Sequence, residues 1–258
     1  MLQDRYRIVG ILGIGGFSSV YQARDMRFPN VTKLCAVKEM VNVAPDPQIR
    51  AVAARAFERE ASILATLDHP AVVGVYDYFN ETDRSYLVLE FIRGKDLESL
   101  LSEQQEFFPQ DKVVDWALQI CDVLAYLHGQ KPDPIIFRDM KPSNVMVTPD
   151  ARIKLIDFGI ARTYKQGQSH DTYAMGSENY ASPEQWGDAQ TDPRADVYGL
   201  GATMYHLLTN VPPLPPFVPG ERVPLQQYNP AVSHATAQVI ERAMATNRDD
   251  RYASARHM

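Results

Sequence analysis

Apolar and polar residues alternate in three short runs over residues 5–40, YRIVGIL, SSVYQARD and LCAVKEM, with glycines between the first two. A period of two marks strands that bury one face, so three successive antiparallel strands are expected. After Pro45 and Pro47 the period changes. Residues 48–67 are rich in Ala, Arg, Glu and Leu, and Phe57, Glu60, Leu64 and Leu67 fall on one face of the predicted helix. Two further strands are expected over 72–78 and 86–92, joined by a polar turn at 80–84. Gly94-Lys95-Asp96-Leu97 breaks the pattern, and a hinge between two lobes is expected there. Beyond it the spacing is helical over 96–103, 112–128, 196–208 and 232–245, with a short helix near 226–228. Two small apolar runs, 145–147 and 153–156, pair around Pro149-Asp150, and the polar stretch 161–182 is expected to be a long loop.

Composition narrows this picture. A chain of 258 residues can bury one large core or two. Its 45% hydrophobic and 22% charged residues are those of a globular protein, and a net charge of -6 argues against nucleic acid or an anionic membrane as partner. The two cysteines, Cys35 and Cys121, form neither a disulfide framework nor a metal-ligand spacing, and both sit in apolar runs where a buried thiol is expected. A reduced, cytoplasmic setting is expected, as a free domain or as the cytoplasmic part of a longer membrane-anchored chain. The start has no signal-peptide layout. Residues 197–220 lack Asp, Glu, Lys and Arg, but His206, Asn210 and four prolines between 212 and 216 interrupt them. A spanning helix needs about 20 unbroken apolar residues, so a buried helix ending near 208 is expected. The PxxP spacings of 212–219 are read as a rigid loop rather than as a ligand for a polyproline-binding domain.

The candidate chemistry lies in IIFRDMKPSN (135–144) and IKLIDFG (153–159). Asp139, Lys141, Asn144 and Asp157 make two acids, an ammonium and an amide. That is the inventory for holding magnesium and a polyphosphate beside a hydroxyl nucleophile. Either run alone is weak, since D-F-G is ordinarily a turn. Upstream, the glycines of 13–18 can bring backbone N–H groups close to phosphate oxygens. Lys38 ends an apolar strand as a point charge. Glu60, an acid among apolar neighbours, is costly to bury without a cation, and Lys38 is the candidate.

Taken together, glycine-rich loop, A-V-K, helix acid, hinge, R-D-x-K-x-x-N, D-F-G and S-P-E occur once each and in order over nearly the whole chain. The chain thereby resembles the eukaryotic-like (Hanks-type) serine/threonine protein kinases. The compact loops and the GSENYASPEQW run resemble bacterial members. The resemblance implies an α+β, bilobal kinase fold, with a small antiparallel sheet and one regulatory helix in 1–92 and a mainly helical lobe in 93–258. It implies ATP and Mg2+ as cofactors, with Mn2+ as substitute, and transfer of the γ-phosphoryl to Ser or Thr hydroxyls of protein substrates. Leu12, Gly13, Gly15, Gly16, Phe17 and Ser18 would form the lid over the phosphates, and Lys38, paired with Glu60, would hold the α- and β-phosphates. Val20, Ala36 and Met146 would sandwich the adenine, with Leu89 as gatekeeper, Glu90 to Ile92 as hinge backbone and Asp96 at the ribose. Asp139 would accept the proton of the attacking hydroxyl, Lys141 would steady the γ-phosphate, and Asn144 and Asp157 would hold the metal. Ser177 would bridge Asp139 and Lys141 at the acceptor pocket, as in serine/threonine rather than tyrosine kinases. Glu184 would pair with Arg251, and Asp196 would brace the catalytic loop. Arg138 beside Asp139 implies an anion supplied by loop phosphorylation at Thr172, then Ser169 or Thr163, with self-association for autophosphorylation in trans.

Three positions depart from the pattern. Phe137 stands where histidine is usual, Ser18 replaces the third glycine, and Ser182 replaces alanine before Pro183. Phe137 is expected to keep the packing, in an apolar column with Leu64, Val75 and Phe158, and activity is expected to survive. The alternatives are a pseudokinase that binds nucleotide as a scaffold and a small-molecule phosphotransferase. The complete set of Lys38, Glu60, Asp139, Asn144 and Asp157 argues against the first, and the 177–184 platform against the second. The family's last helix is expected to be under way by Met258, so that the chain would be a catalytic fragment or a slightly trimmed domain.

Overall fold

The computed structural model describes residues 1–14, 18–40, 47–81, 84–158, 162–163, 177–187, 190–220 and 222–258, without the side chains of 47, 49, 162 and 163. Two compact units result, Met1–Arg93 and Gly94–Met258. The first is a five-stranded antiparallel sheet in the order β1-β2-β3-β5-β4, with one helix. Its strands are β1 (Tyr6–Ile14), β2 (Ser18–Asp25), β3 (Leu34–Met40), β4 (Val75–Glu81) and β5 (Arg84–Glu90), and α1 spans Pro47–Ala65. β2 and β3 coincide with the alternating runs SSVYQARD and LCAVKEM.

Alternation assigns each face of this sheet. Tyr6, Ala23, Cys35, Val37, Tyr86 and Val88 form a buried cluster, with Phe79 stacked between Tyr6 at 5.8 Å and Tyr86 at 5.2 Å. The intervening residues point the other way. Val20 is opposite Lys38 and Ala36 is opposite Leu89, and partners across a ladder share a face.

Helix α1 ends at Ala65 rather than at 67. Thr66 and Leu67 donate to carbonyls three residues back, which tightens the last turn. The strand expected over 72–78 begins only at Val75. His69 takes up the preceding amides, its Nδ1 accepting from Ala71 and its carbonyl from Val72, which holds this segment as a turn. β5 starts at Arg84, so the polar turn is tighter than the expected 80–84.

The second unit is helical: α2 (Leu97–Gln104), α3 (Gln110–His128), α4 (Arg194–Thr209), α5 (Leu225–Tyr228) and α6 (His234–Ala243). Short strands lie among them, β6 (Lys95–Asp96) with β8 (Val145–Val147) and β9 (Ile153–Leu155), and β7 (Ile135–Ile136) with β10 (Arg162–Thr163). α4 is buried from Ala195 to Thr209, consistent with its freedom from charge after Asp196. It packs on both α3 and α6. Among the described residues no helix is long and apolar enough to cross a membrane. Residues 251–258 form bends and a turn closed by His257 N–H on the Ser254 carbonyl, where a helix was expected. Cys35 is buried as expected, whereas Cys121 on α3 is only half-buried. Burial pushes both thiols up to about 11.

Candidate active site

In the first unit the buried face of α1 carries Phe57, Glu60 and Leu64, with Leu67 half-buried beyond the helix end and Glu58 exposed. The Lys38 Nζ donates to both Glu60 carboxylate oxygens, at 2.7 and 2.8 Å. With side chains 9% and 3% exposed, the pair has little water to screen it. The ammonium is held at a fixed point off the sheet face, from within β3 rather than from the expected strand end, since β3 runs on to Met40. Val20, Ala36 and Leu89 lie on the same sheet face as Lys38. Ile92 is buried, and the Glu90 amide donates to the Gly74 carbonyl at 2.7 Å. Leu12 is 49% exposed, and nothing stands within 4 Å of where a Cβ on Gly13 would be. Ser18 opens β2. Gly15, Gly16 and Phe17 lie outside the described residues.

In the second unit, four expected site residues meet. The Ser177 hydroxyl donates to Asp139 Oδ1 at 3.0 Å and accepts from Lys141 Nζ at 2.8 Å. Lys141 Nζ also sits 2.8 Å from Asp139 Oδ2, closing a ring of carboxylate, ammonium and hydroxyl. The Asn144 amide nitrogen donates to Asp139 Oδ2 and to the Asp139 carbonyl, each at 2.9 Å. Its amide oxygen is thereby turned away from Asp139. The Asn144 carbonyl accepts from Ile156 N–H at 3.0 Å, which brings Asp157, the next residue, beside it. An amide oxygen and a carboxylate are the hard donors magnesium takes, with substrate phosphates completing the shell. Among the described residues no group of three or more His, Cys, Asp and Glu side chains could hold a metal by itself.

The backbone is strained at two of these positions. Arg138 and Asp157 have φ of 69° and 61°, the left-handed region that non-glycine residues rarely adopt. Asp196, in the first turn of α4, supports the first. Its Oδ1 accepts from Arg138 N–H at 2.7 Å and its Oδ2 from Phe137 N–H at 2.9 Å. His128 Nε2 lies 2.8 Å from Oδ2 as well. Phe158 is fully buried edge-on to Phe137, with ring centroids 4.9 Å apart, so the phenyl ring at 137 packs directly against the D-F-G segment. Of the expected apolar column, Leu64 is buried in the first unit and Val75 half-buried there.

Asp96 caps α2, its two oxygens accepting from Ser99 N–H at 2.8 Å and Ser99 Oγ at 2.6 Å, and it pairs with Met146 across β6 and β8. Glu184 and Arg251 form a two-pronged ion pair at 2.7 and 2.8 Å. Thr172 and Ser169 lie outside the described residues, as does the Thr163 side chain.

Sequence reasoning missed the contacts that hold Ser177 from behind. Asn179 Nδ2 donates to the Pro213 carbonyl at 2.7 Å, and Tyr180 Oη lies 2.7 Å from His206 Nδ1. One signal was present: a lone imidazole in the charge-free 197–220 stretch, read only as an interruption.

An ion-paired lysine on a sheet and an acid–lysine–asparagine loop before D-F-G are parts of phosphoryl-transfer machinery. The family model for the protein kinase domain matches residues 6–253, and the chain belongs to that family. Along its whole length it is 33% identical to a probable serine/threonine-protein kinase of Streptomyces coelicolor, 34% to the serine/threonine-protein kinase PknB of Mycobacterium leprae and 30% to a probable serine/threonine-protein kinase of Clostridium perfringens. It spans 39%, 42% and 38% of these relatives, about two fifths of each.

Proposed function

We propose that the chain is the catalytic domain of a protein serine/threonine kinase, transferring the γ-phosphoryl of magnesium-ATP to Ser or Thr hydroxyls of proteins. The carrying observation is the ring of Asp139, Lys141 and Ser177. Asp139 orients the acceptor hydroxyl and takes its proton as the oxygen attacks phosphorus. Lys141 holds the γ-phosphoryl oxygens, and Lys38 holds the α- and β-phosphate oxygens. Asn144 and Asp157 hold magnesium, which when bound neutralises the triphosphate. Ser177 marks where a serine or threonine acceptor approaches. Phosphorylation of the chain's own 161–176 segment, at Thr172 first, raises activity by supplying an anion for Arg138.

The test is transfer from radiolabelled ATP with magnesium to a generic protein acceptor, wild type beside Asp139→Asn. The variant is expected to lose roughly a hundred- to ten-thousandfold of the rate, the range for a lost general base. Wild-type protein that binds ATP and labels nothing would overturn the reading in favour of a nucleotide-binding scaffold. The relatives' names, serine/threonine-protein kinase, and the family match support the same assignment.

A further inference from the structure

A turn runs from Ser177 to Ala181, because the Ser177 carbonyl accepts from both Tyr180 N–H and Ala181 N–H at 2.9 Å. One end is held by the Ser177 hydroxyl on Asp139 and Lys141. The other end is held by the Tyr180 side chain on His206, with Asn179 tied to Pro213 between them. His206 lies on α4, ten residues after Asp196. The same helix therefore carries the acceptor of the Phe137 and Arg138 amides and, about 15 Å further along its axis, the partner of Tyr180.

On the kinase reading above, we infer that His206, acting through Tyr180, is a positioning residue for the polypeptide acceptor. α4 then sets the spacing between the loop bearing the catalytic acid and the turn along which the substrate chain lies. The charge state of the bond follows from burial. His206 is 6% exposed, and burial lowers its pKa to about 4, so the imidazole stays neutral in ordinary buffers. Burial, with the Glu98 carboxylate nearby, raises the pKa of Tyr180, so the phenol keeps its proton. Tyr180 Oη and His206 Nδ1 therefore share a hydrogen bond between two neutral groups, 2.7 Å apart. Loss of the Tyr180 hydroxyl leaves the buried imidazole without its partner, and loss of either side chain loosens the turn.

The experiment is steady-state phosphorylation of a protein acceptor by wild type, Tyr180→Phe, His206→Phe and His206→Gln, with KM measured separately for acceptor and for ATP. Tyr180→Phe removes one oxygen and keeps the ring, so it guards against a variant that fails to fold. The expected result is a KM for the acceptor raised roughly tenfold in both phenylalanine variants, with KM for ATP unmoved. The double Tyr180→Phe/His206→Phe variant should be no worse than the poorer single one. In His206→Gln the side-chain amide can hydrogen-bond the phenol as donor or acceptor and should restore most of the loss. An acceptor KM unchanged in Tyr180→Phe, or both KM values rising together, would overturn the inference while leaving the kinase reading intact. A wild type that transfers nothing would overturn both.

Discussion

A buried ion pair is weak evidence for stability, since well-packed apolar residues often do as well in its place. For Lys38 and Glu60 this separates what the pair does for the fold from what it does for a ligand. Lys38→Met strands a carboxylate that is 3% exposed and should lower the unfolding free energy of the sheet unit by about 3–5 kcal/mol in denaturant titration. Lys38→Met with Glu60→Leu should recover most of that stability, because neither side chain then carries a buried charge. Phosphoryl transfer should stay lost in both, since an apolar pair fills the space and cannot hold phosphate. Recovery of transfer by the double variant would refute the role assigned to Lys38. Glu60 was legible because an acid on an apolar face is anomalous on its own. Phe137 was legible only as a departure, and its use becomes visible in its edge-on contact with Phe158.

Among the elements, α4 holds the loop bearing Asp139 by close approach as well as by hydrogen bonds. A Cβ on Gly199 would stand 2.9 Å from Met140 Cβ and 3.2 Å from the Met140 carbonyl, and Met140 lies between Asp139 and Lys141. Gly199→Ala should gain about 1 kcal/mol of helix propensity and lose about 1–3 kcal/mol to overpacking, so the net effect on unfolding is small. The effect on rate should be larger. Met140 is 2% exposed, and a displacement near 1 Å at a reacting group can cost about a hundredfold. A large fall in kcat with a small fall in melting temperature is the expected signature. The strands β2 and β3 and the helices were legible because each repeats a period. Boundaries at Val75 and Ala65 were not, since His69 and tightened terminal hydrogen bonds decide them.

Across the whole molecule the legible contacts are those with at least one end in a motif and the other supplied by the family resemblance, such as Asp139 with Ser177 and Glu184 with Arg251. His128 with Asp196 and Tyr180 with His206 pair residues 68 and 26 positions apart, a spacing that no local period announces. His206 nevertheless leaves a mark on the stability of the entire chain. Its folded pKa is lowered to about 4 by burial, whereas an unfolded histidine titrates near 6.5. Between those values the unfolded chain takes up a proton that the folded chain refuses, so stability is complete above about pH 6.5 and declines as pH falls towards 4, by up to about 3 kcal/mol. Tyr180 is the titratable partner at its Nδ1, and it keeps its proton throughout this range. Carboxylates follow lower down. Burial alone would raise Asp25, but its hydrogen bonds to Arg5 and Arg27 outweigh that and hold its pKa well below the usual value. Its contribution is therefore present above about pH 4 and is lost only in stronger acid. Urea unfolding measured from pH 8 to 3 should show the first decline in wild type and not in His206→Gln, with the acid limb kept in both. An identical profile for the two proteins would mean that His206 protonates as freely in the folded state as in the unfolded one, and the imidazole would lose its place as a permanently neutral partner of Tyr180.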